Sequence, residues 1–275
     1  MAIFGFLGAG NMGGALMRGA LAADAAKAQD IRVYDASPGK AEAFCADTGA
    51  MPMGGIAELV AACDVTVLAM KPADAPDALK EIGAALTALE EGQRNRKLLL
   101  SIVLGLPIKA MRAATGGLAQ YARAMPNAPA LVMEGMSCVA FGKGISEENI
   151  GHAMRLLSAV GQVQELPERQ LIDITALTGS SPAYVFVMLE AMADAAVHDG
   201  IPRDMAYRLA AQAVLGSAKM ARDTRRHPAE LKDSVCSPGG STMAAIRSLE
   251  ADGFRGSLIE AMIECNDRAR EIAGE

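Results

Sequence analysis

Two glycine-rich stretches carry the residue types and spacing from which chemistry can be read. In GFLGAGNMGGALM, residues 5–17, the pattern Gly8-x-Gly10-x-x-Gly13 follows an apolar run and opens a helical one. Such a turn binds a diphosphate: the first glycine permits the tight turn, the second lets backbone approach the pyrophosphate, and the third lets helix and strand pack closely. In SPGGSTMAAIRSLE, residues 237–250, Gly239 and Gly240 precede Ser241, Thr242 and a second helical pattern. Bare amides at a helix start, with the helix dipole behind them, favour an anion there too. A plain helix cap accounts equally well for Ser241 or Thr242, and a tight turn for the glycine pair. Two cradles on one chain imply two anionic ligands.

Asp35 ends the run IRVYD, 22 positions beyond Gly13. A carboxylate there accepts hydrogen bonds from an adenosine ribose and repels a 2′-phosphate, which favours NADH. Ala36 supplies no cation, and Lys40 is the nearest one. Read alone, Asp35 is equally a turn residue before ASPG. Lys71-Pro72 closes VTVLAMKP at the carboxyl edge of a strand, where open α/β sheets bind ligands.

Other chemistries find no residues. The formal charge of −6 and pI of about 5.2 exclude a basic face for nucleic acid or anionic lipid. Cys45, Cys63, Cys138, Cys236 and Cys265 are scattered, without a CxxC pair and without His152, His198 or His227 at metal-ligand spacing, so no metal is expected. They read as reduced thiols of a cytoplasmic protein. The start MAIFGFLG shows no basic n-region, and no apolar run reaches the ~18 residues of a membrane span.

The elements that must position these residues change character along the chain. Up to about residue 165, AIFGFL, IRVY, VTVLAM, LLLSIV, YARAM and MSCVAF read as strands alternating with helices, among them 73–90 and 146–161, the latter with Ser146 as N-cap and Gly161 at its end. That is the texture of a parallel, doubly wound α/β sheet. Beyond Glu168 the pattern is helical: 169–177, 182–198, 203–224, 242–251 and 255–271. The division is therefore 1–167, a Rossmann-type dinucleotide domain, and 168–275, an all-α domain. The latter is rich in Ala, Met and Leu, and its surplus apolar faces predict subunit pairing.

The stretches TALTGSSPAYVFVMLEAMADAAVHDGI, AAQAVLGSAKM, HPAELKDSVCSPGGSTMAAIRSLEADGFR, RAMPNAPALVMEGMS and LAMKP together resemble the pyrroline-5-carboxylate reductases, over nearly the whole chain. The resemblance implies reduction of 1-pyrroline-5-carboxylate to L-proline by hydride from NADPH or NADH, the last step of proline biosynthesis. It also implies a helical domain that interleaves with its partner in a homodimer or a ring of dimers. By matching motifs the cofactor residues are Leu7, Gly8, Ala9, Gly10, Asn11, Met12, Asp35, Ala36, Ser37, Ala69, Met70, Lys71, Pro72, Ile102, Val103 and Leu104. The substrate residues are Ser234, Gly239, Gly240, Ser241 and Thr242, with Thr242 the catalytic partner of the ring nitrogen. Two positions depart from the family pattern: Ser181 stands where most members have glycine, and Ile56 where many have asparagine.

On this reading SPGGST holds the substrate carboxylate through the amides of Gly240, Ser241 and Thr242. Thr242 orients the ring nitrogen or a water, and Tyr184 is the second choice of donor. The alternatives are a β-hydroxyacid-type dehydrogenase, which needs a lysine that IDITALTGSSPAYVFVMLEA lacks, and a dinucleotide sensor without turnover.

Overall fold

The computed structural model describes residues 2–273. Eight strands form one sheet: β1 Phe4–Leu7, β2 Ile31–Tyr34, β3 Met51–Pro52, β4 Val65–Leu68, β5 Leu98–Ser101, β6 Gln120–Met125, β7 Gly135–Phe141 and β8 Gly161–Glu165, in the spatial order β3-β2-β1-β4-β5-β6-β7-β8. All neighbouring pairs are parallel except β6 with β7. The strands β1, β4 and β5 are buried along their whole length, as strands covered by helices on both faces must be. Phe6, Leu16, Val67 and Leu100 centre one apolar layer, and Leu7, Ile82, Leu86 and Leu99 the other.

The sheet differs from the sequence expectation in two ways. Strand β7 is antiparallel to β6 because residues 126–134 are too few for a crossover, which takes a dozen or more. Strands β3 and β8 are additional; β3 is two residues long and β8, GQVQE, is polar and half-open, so neither gives a periodic signal.

Helices fall close to their expected places. Ser146 caps Glu147–Ser158, its hydroxyl accepting from Asn149 N at 3.3 Å. Gly161 does not end that helix; it opens β8 at φ +143°, where a side chain would collide with the Gly135 backbone. In the expected helix 169–177 the structure has Gln170–Asp173 followed by a π-helical turn, Thr175–Gly179. Ser181–His198, Arg203–Thr224, Ser241–Ala251 and Phe254–Ala273 match their patterns, and Pro228–Ser234 is an additional short helix.

The chain divides into two compact units. One runs through Gly179 and takes in the chain from Arg268 on; the other is Ser180–Asp267. In the second unit the buried residues are Ala193, Ala206 and Ala210. Among the described residues no helix is long and apolar enough to cross a membrane.

Candidate active site

Strand β1 has β2 on one side and β4 on the other, so the chain leaves its carboxyl end at the point where strand order reverses. There Gly8 takes φ +113° and its N–H bonds Tyr34 O at 2.8 Å; a Cβ on it would lie 2.6 Å from the Ala69 carbonyl oxygen. A Cβ on Gly13 would stand 2.5 Å from the Gly8 carbonyl oxygen, whereas one on Gly10 would meet nothing within 4 Å. The three glycines thus answer three needs, a left-handed turn, a helix pressed on the strand, and an open flank. Gly10 caps the helix Asn11–Ala22 without a side-chain bond. The amides of Asn11, Met12 and Gly13 find no acceptor within the described residues, as the first turn of a helix requires of something outside it.

Asp35, just past β2, binds back to this turn. Its Oδ2 accepts from Ala9 N at 2.8 Å and lies 3.2 Å from Lys40 Nζ, while Oδ1 accepts from Ser37 N at 2.9 Å. Burial pushes its pKa up, but the Ala9 and Ser37 amides and Lys40 outweigh it, so the carboxyl lies below its ordinary 3.8. These groups border a cleft of ≈ 420 Å³ lined by Leu7, Gly8, Gly10, Asp35, Ala36, Ser37, Lys40, Ile56, Ala69, Met70 and Lys71. Ile56, buried at the start of the helix Ile56–Ala62, gives it an apolar wall where an asparagine would give a polar one. Lys71 is exposed, and Pro72 opens the turn into the helix Ala75–Ala88.

Beyond β5 the chain forms the loop 102–107. Val103 is buried, its N–H held by Ser101 Oγ at 3.1 Å and its carbonyl accepting from Leu106 N at 3.3 Å, so its N–H is spent within the loop. Leu104 at the loop tip is exposed, and with Pro72, Ala75 and Pro76 it lines an apolar cleft of ≈ 350 Å³.

In the helical unit, Gly239 adopts φ +70° and Gly240 caps Ser241–Ala251, again with no side-chain bond. The Gly240 N–H is committed to Ser237 O at 3.0 Å, and a side chain at Gly240 would collide with Ser237 Oγ. Gly239 is thus required by the left-handed turn, while a Cβ on Gly240 would displace the Ser237 hydroxyl and crowd its carbonyl; with the Gly240 amide spent, the expected three-amide cradle narrows to Ser241 and Thr242, whose N–H groups have no acceptor within the described residues. Thr242 is exposed. Ser234, at the end of Pro228–Ser234, turns its hydroxyl back to Leu231 O at 2.7 Å. Ser181 is the first residue of its helix and, unlike Asp24, Met133 and Arg225, has no positive φ, so replacing glycine there costs no backbone strain.

Tyr184 clusters with Cys265 and Ser180, and its hydrogen bond with Cys265 and its burial raise its pKa, which makes the phenol a weaker acid. Burial pushes the Cys63 thiol up to about 12, removing it as a nucleophile. No group of three metal-ligating side chains occurs among the described residues. Sequence reasoning did not find Glu168, whose carboxylate reaches Ile108 N and Arg123; a lone Glu carries no periodic or motif signal.

Comparison with known proteins gives two family matches. Residues 168–272 match the pyrroline-5-carboxylate reductase dimerisation family, and residues 3–105 the NADP oxidoreductase, coenzyme F420-dependent, family. The pyrroline-5-carboxylate reductase of Escherichia coli K12 is 39% identical over 98% of this chain and 97% of its own. That of Methanosarcina acetivorans is 38% identical over the same shares. Among solved structures, a pyrroline-5-carboxylate reductase from Coxiella burnetii superposes with a TM-score of 0.89 at 30% identity, covering 98% of both chains. The Plasmodium falciparum pyrroline carboxylate reductase with NADP bound superposes at 0.86 and 29%, covering 99% and 98%.

Proposed function

The chain belongs to the pyrroline-5-carboxylate reductase family, and on that premise we propose how its residues divide the reduction of 1-pyrroline-5-carboxylate to L-proline. It is an NAD(P)H-dependent oxidoreductase of proline biosynthesis that homo-oligomerises through its helical domain and acts on a small molecule. The finer assignments that follow are our reading. Residues 1–167 serve the cofactor and 168–275 serve dimerisation and the substrate.

The observation that carries the cofactor assignment is the open flank of Gly10 beside three unpartnered amides. Asn11, Met12 and Gly13 would hold the diphosphate, with Leu7 to Gly10 shaping the turn. Asp35 to Ser37 would hold the adenosine ribose on the β2 side. The nicotinamide half then falls across β1 from it, beside Ala69 to Pro72 and Ile102 to Leu104. With Asp35 ionised and Lys40 drawn to it, NADH is used at least as well as NADPH.

When bound, the nicotinamide supplies a hydride to the imine carbon, and the ring nitrogen gains a proton to become the amine. The chain's own work is placement. The Ser241 and Thr242 amides hold the carboxylate, with Ser234, Gly239 and Gly240 shaping the surrounding turn. The Thr242 hydroxyl orients the ring nitrogen or a water that delivers the proton; an alcohol is too weak an acid to supply it alone. A dimer is the working unit, rings of dimers its larger form, and the cytoplasm, where its free thiols stay reduced, its compartment.

The test is loss of NADH or of NADPH with pyrroline-5-carboxylate, run beside NAD⁺ and NADP⁺ with 3-hydroxy acids. Turnover with the imine and proline as product supports the reading. Turnover of the hydroxy acids, or binding of either reduced cofactor without turnover of any substrate, overturns it in favour of a β-hydroxyacid dehydrogenase or a sensor.

A further inference from the structure

The loop 102–107 is held at both ends by side chains that have no other evident task. At its start Ser101, fully buried at the carboxyl end of β5, accepts from Val103 N at 3.1 Å. At its end Glu168 Oε1 accepts from Ile108 N at 2.7 Å, where the helix Ile108–Ala114 begins behind Pro107 without a side-chain cap of its own. The same oxygen lies 3.7 Å from Arg123 Nη1. Arg123 is the β6 neighbour of Ser101 in the parallel register, so both fastenings meet at one level of the sheet.

The pair sits at the carboxyl edge of the buried sheet. The Arg123 side chain is 10% exposed and that of Glu168 32%, so the guanidinium is largely withdrawn from water with the carboxylate 3.7 Å away at its open side. Between the fastenings, Gly105 at φ +73° and the Val103–Leu106 turn leave Leu104 as the exposed tip. A carboxylate at a helix N-terminus is favoured by the helix dipole, and here it is delivered from 60 residues away in sequence. A helix that needed only a cap would take a Ser or Asp at its own start; reaching across the fold fixes the loop to β6 as well.

We propose that Glu168, the first residue past the cofactor stretch and still within the unit that carries the sheet, is a positioning residue for the nicotinamide half of the cofactor: by tying Ile108 N to Arg123 it fixes the 102–107 loop against which that half lies. The inference rests on the cofactor reading above.

The experiment compares NADH with ADP-ribose, which keeps the adenosine and diphosphate but lacks nicotinamide, on the full-length oligomeric protein by calorimetry. Glu168→Ala should weaken NADH about tenfold and lower kcat, while ADP-ribose stays within about twofold of the parent value. Glu168→Gln, which keeps an oxygen for Ile108 N–H, should recover most of the lost affinity. If Glu168→Ala does not fold, Glu168→Gln and Glu168→Asp carry the test: Asp, one methylene short, should show the split and Gln little of it. Equal weakening of both ligands, or weakening of neither, shows a merely structural role and overturns the proposal. Failure of the parent protein to bind ADP-ribose instead overturns the cofactor reading beneath it.

Discussion

The unit that ends at Gly179 and the unit Ser180–Asp267 are built on opposite terms. In the first, Phe6, Leu16, Ile82, Leu86 and Leu100 are wholly buried. Each such side chain contributes about 1.5–3 kcal/mol by leaving water. In the second, the buried residues are three alanines, while Phe186 is 60% exposed and Ile259 58%. Ordering backbone costs about 1–2 kcal/mol per residue, which three alanines cannot offset. The first unit thus carries its own core, and the second leaves apolar faces open of the kind that association covers, in keeping with its match to a dimerisation family. A fold with a private core tolerates damage locally; one with a shared core fails with its assembly.

Phe186→Asp is the sharpest way to break this comparison. On a truly solvent-facing position it would change stability by no more than about 0.5 kcal/mol, whereas a charge forced into a shared core costs about 3–5. Sedimentation should show loss of the oligomer together with loss of activity. An active oligomer at the parent concentration would mean that the face is free and the comparison wrong. A companion measurement is Tm against protein concentration, which should rise for the intact chain because association stabilises only the folded form.

The next two effects contrast glycines within the first unit. Gly8→Ala forces a side chain against the Ala69 carbonyl at a strained φ and should cost about 1–3 kcal/mol of stability along with cofactor binding. Gly10→Ala meets no protein atom, so Tm should hold while NADH affinity falls about tenfold, ~1.4 kcal/mol, as backbone and diphosphate are pushed apart. Should Gly10→Ala bind NADH normally, the open flank is not a diphosphate site.

Thr242→Ala carries the comparison into the second unit. Removing one donor to a charged or charging partner should lower kcat/KM by roughly tenfold to a hundredfold, ~1.5–3 kcal/mol, without moving Tm, since Thr242 is exposed. NADH affinity should stay put if the diphosphate binds at Asn11 to Gly13, in the other unit. A matching fall in NADH affinity would reassign the residue. Gly240→Val reads less cleanly, because its side chain displaces the Ser237 hydroxyl and crowds the Ser237 carbonyl whatever binds there.

The smallest effects are electrostatic. The Asp35 carboxyl is lowered in the folded chain, so its contribution is present above the unfolded value and is lost as pH falls through the folded one. The Tm difference between the parent and Asp35→Asn should therefore be flat around neutrality and shrink only in acid, below the ordinary 3.8. A difference that vanished near pH 6 would point to another group. For the cofactors, a kcat/KM with NADPH more than about tenfold above that with NADH would show that Lys40, not Asp35, decides the preference.

Residues 5–17 and 237–250 were legible because the glycine turn and the helix start are local: each needs only neighbours within a few positions. The β/α alternation and the helical texture after Glu168 were legible for the same reason, through periodicity. Strand direction at β7 was not, because it depends on how long a connection must be to cross the sheet. Glu168 was invisible because its partners, Ile108 and Arg123, are 60 and 45 positions away in sequence.

By itself, then, the sequence determined where the glycine turns and their helix starts fall, where helix replaces strand, and which family's motifs the chain carries, since backbone preferences and side-chain periodicity act at short range. Only the tertiary structure decided what each polar group does with its bonds. Asp35 reaches Ala9 and Lys40, the Gly240 amide goes to Ser237, and Val103 turns its hydrogen bonds inward. A donor spent inside the fold is unavailable to a ligand, and that allocation exists only once distant residues have been brought within about 3 Å of one another.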